Sequence, residues 1–475
     1  MVTLINANTM TPPIAPIGLD YIGSVLKKAG YEVELLDLCL AEEGEKCVAD
    51  YFSTAAPDLV GVSFRNVDDC FWPSATSFVP QLAKLVRSIK SLTTAPVVLG
   101  GVGFSIFPEE IVKATGADFG VRGDGEQTLV LLLQQLRGEK NFEKVPGLTF
   151  RRGDSIATNP PVWQAPLSLP TERCFVDNIA YFEKGGQSGI ETKRGCNRNC
   201  LYCADPQAKG PRLRLRDPKE VADEAESLLA RGIDVFHTCD AEFNIPRGHA
   251  LAVCEEFIRR GLGQKLYWYA YLAVTPFDWE LACAMAKAGC VGINFTGDSA
   301  STPMLTTYRQ PHRKEHLASA VKLCRENDIE VMIDLLLGGP GETPETVRET
   351  VDFIKHISPD CCGAPLGIRV YPGTPMLELL AKEGPAETNP NIKRKYSGPI
   401  DLLRPTFYIS SKLGPNPARL VRDIIRDDDR FFPPREEQAA TSSDHNYNDN
   451  TELSEAIAKG ARGAYWHILH NLHMT

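Results

Sequence analysis

The sequence predicts an α/β protein with a doubly wound parallel sheet, followed by a partial βα barrel of the TIM type and a small, mainly helical C-terminal region. Two observations support this fold class. Short apolar strands alternate with amphipathic helices along most of the chain, and a proline-rich segment separates two such series. We therefore expect four parts: a first domain (1–138), a linker (139–188), a barrel (189–385) and a C-terminal cap (386–475).

The first series contains five strand-like runs with helical patterns between them. Leu19, Ile22 and Leu26, for example, recur at the spacing of one buried helix face. Repeated strand and helix units predict a parallel sheet covered on both faces, which binds its ligand beyond the carboxyl ends of the strands. The predicted strands are residues 2–6, 32–38, 59–64, 96–101 and 118–122.

The second series contains six strand-like runs, again separated by helical stretches. Six units are fewer than the eight of a closed barrel, so we expect an incomplete one, with its chemistry at the carboxyl ends of the strands. The predicted strands are residues 189–193, 235–239, 266–272, 292–296, 331–337 and 367–371.

The net charge, the apolar runs and the cysteine count limit the partners and the cellular location that we expect for this protein. The formal net charge of −10 and the pI near 5.5 argue against a nucleic acid, whose phosphates are bound by lysine and arginine. The first residues resemble no signal peptide and no apolar run is long enough for a membrane span, so we expect a cytoplasmic protein. Its 14 cysteines are then expected to be reduced thiols or metal ligands.

Three of these cysteines form a cluster of their own. Cys196, Cys200 and Cys203 follow the first barrel strand in a CxxxCxxC pattern, and Gly195 permits the tight loop that three converging thiolates require. A four-iron, four-sulfur cluster held by three cysteines leaves one iron open to a small molecule. Structural zinc is the alternative, and it would need a fourth ligand such as Cys239 or His237.

The segment CNRNCLYC at 196–203 resembles the cysteine loop of the radical S-adenosylmethionine superfamily, including the aromatic residue before the third cysteine. The resemblance implies that Cys196, Cys200 and Cys203 bind the cluster and that the open iron binds S-adenosylmethionine. Cleavage of that molecule would then yield a 5′-deoxyadenosyl radical. By the same resemblance, Tyr202 would lie near the adenine.

Further candidates for contacts with S-adenosylmethionine follow the barrel strands. Arg309 offers a planar donor for the methionine carboxylate, although a solvated surface arginine is the equal alternative. The GGPGET segment at 338–343 resembles the GxPGET segment of the superfamily, and its amides can receive a ligand; a plain turn capped by Thr343 explains it as well. Gly338 and Gly339 of that segment are candidates, and the others are Asp240, Glu242, Asn244 and Asn294. Asn294 stands where the family usually has an acidic residue.

Segments 12–22, 100–111 and 123–126 resemble the cobalamin-binding domain that precedes the radical domain in one large subgroup of the superfamily. No GxGxxG follows the first strand, which disfavours a dinucleotide. No DxHxxG segment is present, so we expect no histidine below the cobalt, and Arg65 and Asn66 to cover that face. The candidate cobalamin contacts are Pro13, Gly18, Ser63, Arg65, Asn66, Gly100, Gly101, Gly103, Gly123 and Glu126.

The resemblance implies a cobalamin-dependent methyltransferase that acts on an unactivated carbon of a small molecule and takes electrons from a flavodoxin or ferredoxin. Two alternatives stay open, because relatives with the same two domains perform other chemistry. One is a cyclase or rearrangement enzyme that transfers no methyl group. The other, from a different class, is a non-catalytic sensor that binds the cluster and cobalamin.

Overall fold

A computed structural model describes residues 1–394, 400–436 and 447–474. The first sheet has seven strands in the order β2-β1-β3-β4-β5-β6-β7. The first five are parallel, as predicted, and β6 and β7 add antiparallel strands at one edge. These strands are β1 Val2–Asn6, β2 Val33–Asp37, β3 Leu59–Ser63, β4 Val97–Gly100, β5 Phe119–Val121, β6 Leu148–Arg152 and β7 Ser155–Thr158.

Helices cover both faces of this sheet because each presents one apolar stripe to it. One buried cluster contains Val62 and Val86, and the other contains Leu4 and Leu132, so that alternate strand residues serve opposite faces. The helices are α1 Ile17–Lys28, α2 Gly44–Phe52, α3 Val79–Leu92, α4 Val102–Ile106, α5 Pro108–Thr115 and α6 Gly125–Arg137.

The predicted linker is wrong in its first part, where β6 and β7 form a hairpin that belongs to the sheet. Gly153, with φ of 59°, makes the turn. The hairpin is short and carries exposed arginines at its end. Its alternation of apolar and polar residues is therefore weak, and the prolines that follow favoured a linker. The rest of the segment carries helix α7, Asn178–Gly185.

The second sheet is entirely parallel, in the order β18-β15-β14-β13-β12-β11-β8, and forms the partial barrel. Its strands are β8 Ser188–Ile190, β11 Val235–Thr238, β12 Tyr267–Ala273, β13 Cys290–Asp298, β14 Glu330–Leu335, β15 Cys361–Gly363 and β18 Phe431–Phe432. Two short antiparallel pairs lie outside it: β9 Lys193–Arg194 with β10 Arg214–Leu215, and β16 Ile368–Arg369 with β17 Phe407–Tyr408.

The sixth predicted barrel strand, 367–371, is wrong. The sheet uses β15 instead, where Cys361 and Cys362 are buried, and the chain then turns away at Gly367 with φ of 98°. Part of the predicted strand becomes β16. The edge strand β18 comes from the predicted cap, so that the C-terminal region also completes the sheet.

Helices surround the outside of the barrel sheet and also close part of its inside. The outer helices pack on outward residues such as Phe236, Ile293 and Ile333. The C-terminal helices pack on the inward Val235 and Met332, which confirms a helical C-terminal region. The remaining helices are α8 Asp205–Ala208, α9 Pro218–Leu229, α10 Arg247–Arg259, α11 Trp279–Lys287, α12 Thr302–Tyr308, α13 Lys314–Arg325, α14 Pro344–Ile357, α15 Pro375–Lys382, α16 Pro417–Ile425, α17 Thr451–Ala458 and α18 Tyr465–Met474.

Buried ion pairs join the two sheets. Arg173, in the segment between them, bridges Asp20 of α1 and Glu224 of α9, and Arg216 donates to the other oxygen of Glu224 at 2.6 Å. All four side chains are fully buried. None of the helices in the described ranges has the length and hydropathy that a membrane-spanning segment requires.

Candidate active site

The cysteine loop begins directly after β9 and is shaped by Gly195. This glycine has φ of 87°, and a Cβ at its position would collide with the carbonyl of Arg212. The amide of Cys196 then donates to the carbonyl of Gly210 at 3.0 Å. Only glycine fits this close approach of two backbone segments, so the loop geometry depends on it.

The three loop cysteines are free thiols that influence one another. Burial raises the pKa of Cys196 and Cys203, and raises that of Cys200 to about 12, with the neighbouring cysteines contributing to the shifts of Cys200 and Cys203. In the described part of the chain, no three metal-binding side chains gather tightly enough to hold a single ion. A cubane cluster would take each of the three thiolates at a separate iron.

A hydrogen-bonded group lies beside this loop. Tyr202 donates its hydroxyl to Asp298 at 2.8 Å, and the side-chain amide of Gln310 donates to the same carboxylate at 2.6 Å. Gln310 also lies 3.6 Å from the sulfur of Cys200. Sequence reasoning missed Asp298 and Gln310 as site residues. Their one signal was their position, because Asp298 ends β13 and Gln310 follows α12.

Two carboxyl groups near the cluster loop, the buried Asp298 and the partly buried Glu242, take up a proton near neutral pH. Burial raises the pKa of Glu242 to about 7 and that of Asp298 to about 7. Glu242 accepts a hydrogen bond from Thr296 at 2.9 Å, but its Oε2 has no partner among the described residues. An unpartnered buried oxygen is costly, which marks Glu242 as a group that a ligand would satisfy.

Two neighbours of Glu242 are engaged with the backbone instead. Asp240 accepts from the amides of Thr192 at 2.9 Å and Lys193 at 3.2 Å, which ties the end of β11 to the entry of the cysteine loop. The side chain of Asn244 donates to the carbonyls of Ala273 and Pro276 and accepts the amide of Ala273. Both therefore position the loops around the site.

The glycine-rich loop after β14 is built around its own carboxylate. Glu342 is buried and accepts the amides of Gly338 and Gly339, the latter at 3.1 Å. A Cβ on Gly339 would collide with the ring of Tyr308, which explains why a glycine stands there. Both backbone N–H groups thus already donate to Glu342 within the loop, so a ligand that binds here would have to contact other atoms of the loop.

The remaining predicted contacts differ in their surroundings. Asn294 is buried on β13 and donates to Asp334 at 2.8 Å. Arg309 is exposed, with φ of 63°, at the end of α12 and next to Gln310. The structure thus places Asn294 inside the barrel and Arg309 on an accessible loop beside the cysteine loop.

The predicted cobalamin contacts gather at the carboxyl edge of the first sheet. A Cβ at Gly101 or Gly103 would press against the backbone of the loop that follows β3, so these glycines are required by packing. Around Gly18 no atom would lie within 4 Å of a Cβ, and at Gly100 the nearest lies at 4.0 Å, which leaves room at the sheet edge. The other predicted positions on this edge are Pro13, Ser63, Arg65 and Asn66.

Glu126 and Gly123 connect the first domain to the cysteine loop. Glu126 pairs with Arg194 at 2.8 Å, and although burial alone would raise the pKa of Glu126, that guanidinium holds it below its ordinary value. A Cβ at Gly123 would collide with Trp163. Glu126 therefore helps to hold the residue that immediately precedes Gly195.

Comparisons with known proteins identify the family. Residues 190–354 match the model of the radical SAM superfamily, and residues 4–133 match that of the B12 binding domain. The tryptophan 2-C-methyltransferase of Streptomyces laurentii is 31% identical, with 98% of this chain and 95% of the relative aligned. The chain belongs to the cobalamin-dependent radical S-adenosylmethionine methyltransferases.

A solved structure extends the similarity of this methyltransferase to three dimensions. The radical S-adenosylmethionine methyltransferase TsrM of Kitasatospora setae, with tryptophan and an S-adenosylmethionine analogue bound, superposes with a TM-score of 0.92 at 32% identity. The match covers 100% of this chain and 98% of that one. The anaerobic magnesium-protoporphyrin IX monomethyl ester cyclase of Cereibacter sphaeroides is 29% identical, over 77% of this chain and 60% of the relative.

The residues of this methyltransferase fit the cofactors of its family. Three thiols on one loop leave one position of a four-iron cluster open. The unpartnered oxygen of Glu242 lies near that loop, and at the facing sheet edge the buried Oδ1 of Asn66 also lacks a partner among the described residues. Open space at Gly18 and Gly100 adjoins the same edge.

Proposed function

We propose that this methyltransferase transfers a methyl group to a carbon of tryptophan or of a closely related indole amino acid. The observation that carries the proposal is the alignment with the tryptophan 2-C-methyltransferase over nearly the whole of both chains. The alignment includes the C-terminal helices, which pack against the inside of the barrel sheet. The similarity to the tryptophan methyltransferase therefore extends to the part of the chain that covers the inside of the barrel, which supports a common substrate class.

The proposal assigns the cluster to Cys196, Cys200 and Cys203. When bound, the cluster, S-adenosylmethionine and cobalamin supply the electron and the methyl group for the reaction. Tyr202 and Glu242 are the proposed contacts of S-adenosylmethionine, supported by their places beside the loop and by the unpartnered oxygen of Glu242. Asn294 and Arg309 stay further candidates, whereas Asp240 and Asn244 act by positioning loops.

The proposal also assigns the lower face of cobalamin to Arg65, with Asn66 beside it. Burial raises the pKa of the barrel residues Cys239 and Tyr271, and the positive charge of Arg65 offsets part of that rise in both, so Arg65 faces the barrel across the domain junction. A guanidinium has no lone pair to donate to cobalt. Bound cobalamin should therefore show a spectrum without nitrogen ligation from the protein.

Reduction of the cluster requires an electron from outside the chain. We assign this role to a small redox protein of the flavodoxin or ferredoxin type, because such proteins deliver single electrons at the low potentials of iron–sulfur clusters. Replacing it with a chemical reductant tests whether the partner is needed for turnover.

The test is anaerobic reconstitution with iron, sulfide and hydroxocobalamin, followed by incubation with reductant, L-tryptophan and S-adenosylmethionine that carries a deuterated methyl group. We expect about four irons per chain, together with bound cobalamin and a tryptophan product that carries the deuterated methyl group. A product with a new ring and no methyl group would favour the cyclase reaction instead. Cofactor binding without any cleavage of S-adenosylmethionine would favour a sensor.

A further inference from the structure

A layer of polar side chains crosses the inside of the barrel sheet. Inward residues alternate with outward ones along each strand, and the inward Tyr269 and Met332 are covered by the C-terminal helices. The next inward residues toward the carboxyl ends belong to none of the apolar clusters in the described part of the chain. These residues form the polar layer: His237 on β11, Tyr271 on β12, Asn294 on β13 and Asp334 on β14.

The polar layer borders a space between the two domains. Tyr271 is 38% exposed although β12 lies inside the sheet, and burial nevertheless raises its pKa. Cys239, at the end of β11, is likewise exposed while burial raises its pKa to about 12. Accessible side chains that are also poorly solvated indicate a cavity within the protein, which Arg65 faces from the first domain.

Hydrogen bonding determines which nitrogen of His237 faces a ligand. Its Nδ1 lies 2.8 Å from the carbonyl of Thr238, which can only accept, so Nδ1 carries the proton. Burial lowers the pKa of His237 to about 4, so the ring is neutral near pH 7. Nε2 is therefore an acceptor, and among the described residues it contacts no donor.

A second acceptor and a negative charge lie in the same layer. Asn294 uses its amide nitrogen to donate to Asp334 at 2.8 Å, and its Oδ1 is buried with no partner in the described ranges. The ring of Tyr271 lies 4.8 Å from that of His237 and supplies an aromatic surface beside the acceptors. The layer thus combines an aromatic surface with acceptors for N–H groups.

We propose that His237 Nε2 accepts the ring N–H of the substrate indole, and that the indole packs on Tyr271. Asn294 Oδ1 and the Asp334 carboxylate then receive the α-ammonium group of the amino acid. This inference rests on the proposed function and deepens it, because it names His237 as the residue that selects a ring with an N–H. A site built to accept a hydrogen bond rejects an analogue that lacks the donor.

The test compares L-tryptophan with its benzothiophene analogue, in which sulfur replaces the ring N–H. Equilibrium binding to protein loaded with cluster and cobalamin is measured by calorimetry for the native chain, His237→Phe and His237→Gln. We expect the native chain to prefer tryptophan by about tenfold or more. His237→Phe should lose this preference, and His237→Gln, which retains an acceptor, should keep part of it. Unchanged iron and cobalamin content shows that the variants are folded.

Each outcome decides the proposal. If His237→Phe prefers tryptophan as strongly as the native chain does, the assignment of His237 is overturned. Binding of tryptophan that depends on His237, without any methylated product, supports this site and contradicts the proposed function. Methylated product with unchanged affinity and KM in His237→Phe supports the function and overturns this site. Absence of tryptophan binding by the native chain overturns both.

Discussion

Arg173 donates a hydrogen bond from Nε to Asp20 at 2.6 Å, and both side chains are fully buried where the first domain meets the barrel. The same guanidinium bonds Glu224, so that one arginine links α1 to α9. The residues that match the B12 binding domain and those that match the radical SAM superfamily lie on the two sides of this junction. A buried network with many partners holds the two domains in one arrangement.

Asp20→Asn is expected to destabilise the protein strongly, because it leaves the buried cations of Arg173 and Arg216 with the single negative charge of Glu224. We expect a loss of about 3 kcal/mol in the free energy of unfolding, measured by urea denaturation. Asp423→Asn is the matched control, since Asp423 forms an exposed pair with Arg419 on α16 and should change stability by about 0.5 kcal/mol or less. If Asp20→Asn and Asp423→Asn lower the free energy of unfolding equally, the buried ion pairs at the domain junction do not stabilise the protein as described.

Gly195→Ala is expected to prevent cluster assembly, because the added Cβ meets the carbonyl of Arg212 and φ of 87° disfavours a side chain. Iron content after reconstitution and the absorbance of the cluster should both fall. Gly248→Ala in α10 is the control: no atom lies within 4 Å of the new Cβ, and alanine favours helix. Full iron binding in Gly195→Ala would show that the loop can relax.

Cys196→Ala should reduce iron binding and abolish turnover, because two thiolates cannot replace three around the cluster. Iron and sulfide per chain measure the first effect, and 5′-deoxyadenosine or S-adenosylhomocysteine formation measures the second. Cys283→Ala on α11 is the control and should retain both. A variant of Cys196 that binds iron and turns over as the native chain does would remove this residue from the ligand set.

Glu342→Gln should flatten the dependence of stability on pH. Burial raises the pKa of Glu342 to about 7 from an ordinary 4.5, so the folded state holds its proton more tightly than the unfolded state. Its contribution is therefore complete below about pH 4.5 and is lost as the pH rises through 7, by about 3 kcal/mol. Unfolding midpoints of the protein without cofactors, between pH 5 and 8, measure this change.

The exposed Glu345 supplies the comparison for this experiment. The Thr343 hydroxyl lowers the pKa of Glu345, so its small contribution runs in the opposite direction with pH. Glu345→Gln should leave the decline of stability above pH 5 in place. If Glu342→Gln declines with pH as the native chain does, another group carries the effect.

Much of the fold could be predicted because strands and helices leave periodic patterns. Strand β1 has the predicted bounds, and the other early strands differ from prediction only at their ends. The hairpin of β6 and β7 and the two-residue strand β18 were missed, because runs so short show little alternation. The sixth barrel strand was misplaced because Cys361–Gly363 is shorter than the apolar segment that follows it.

The candidate site was harder to predict, because contacts depend on partners distant in sequence. The sequence could mark Gly338, Gly339 and Asn244 as polar or flexible positions after strands. It could not show that Glu342 takes the two amides or that Asn244 binds the backbone near Ala273. Asp298 and Gln310 were missed for the same reason, since only the folded chain brings them to Tyr202.

The sequence by itself determined the class of chemistry, since the spacing of Cys196, Cys200 and Cys203 is local and places three thiolates on one loop. It also determined the order of the two α/β domains, because hydrophobic periodicity is a property of neighbouring residues. Only the tertiary structure decided which side chains face the space between the domains. His237 and Asn294 are ordinary strand residues in the sequence, and they become a site because parallel strands bring their inward faces together.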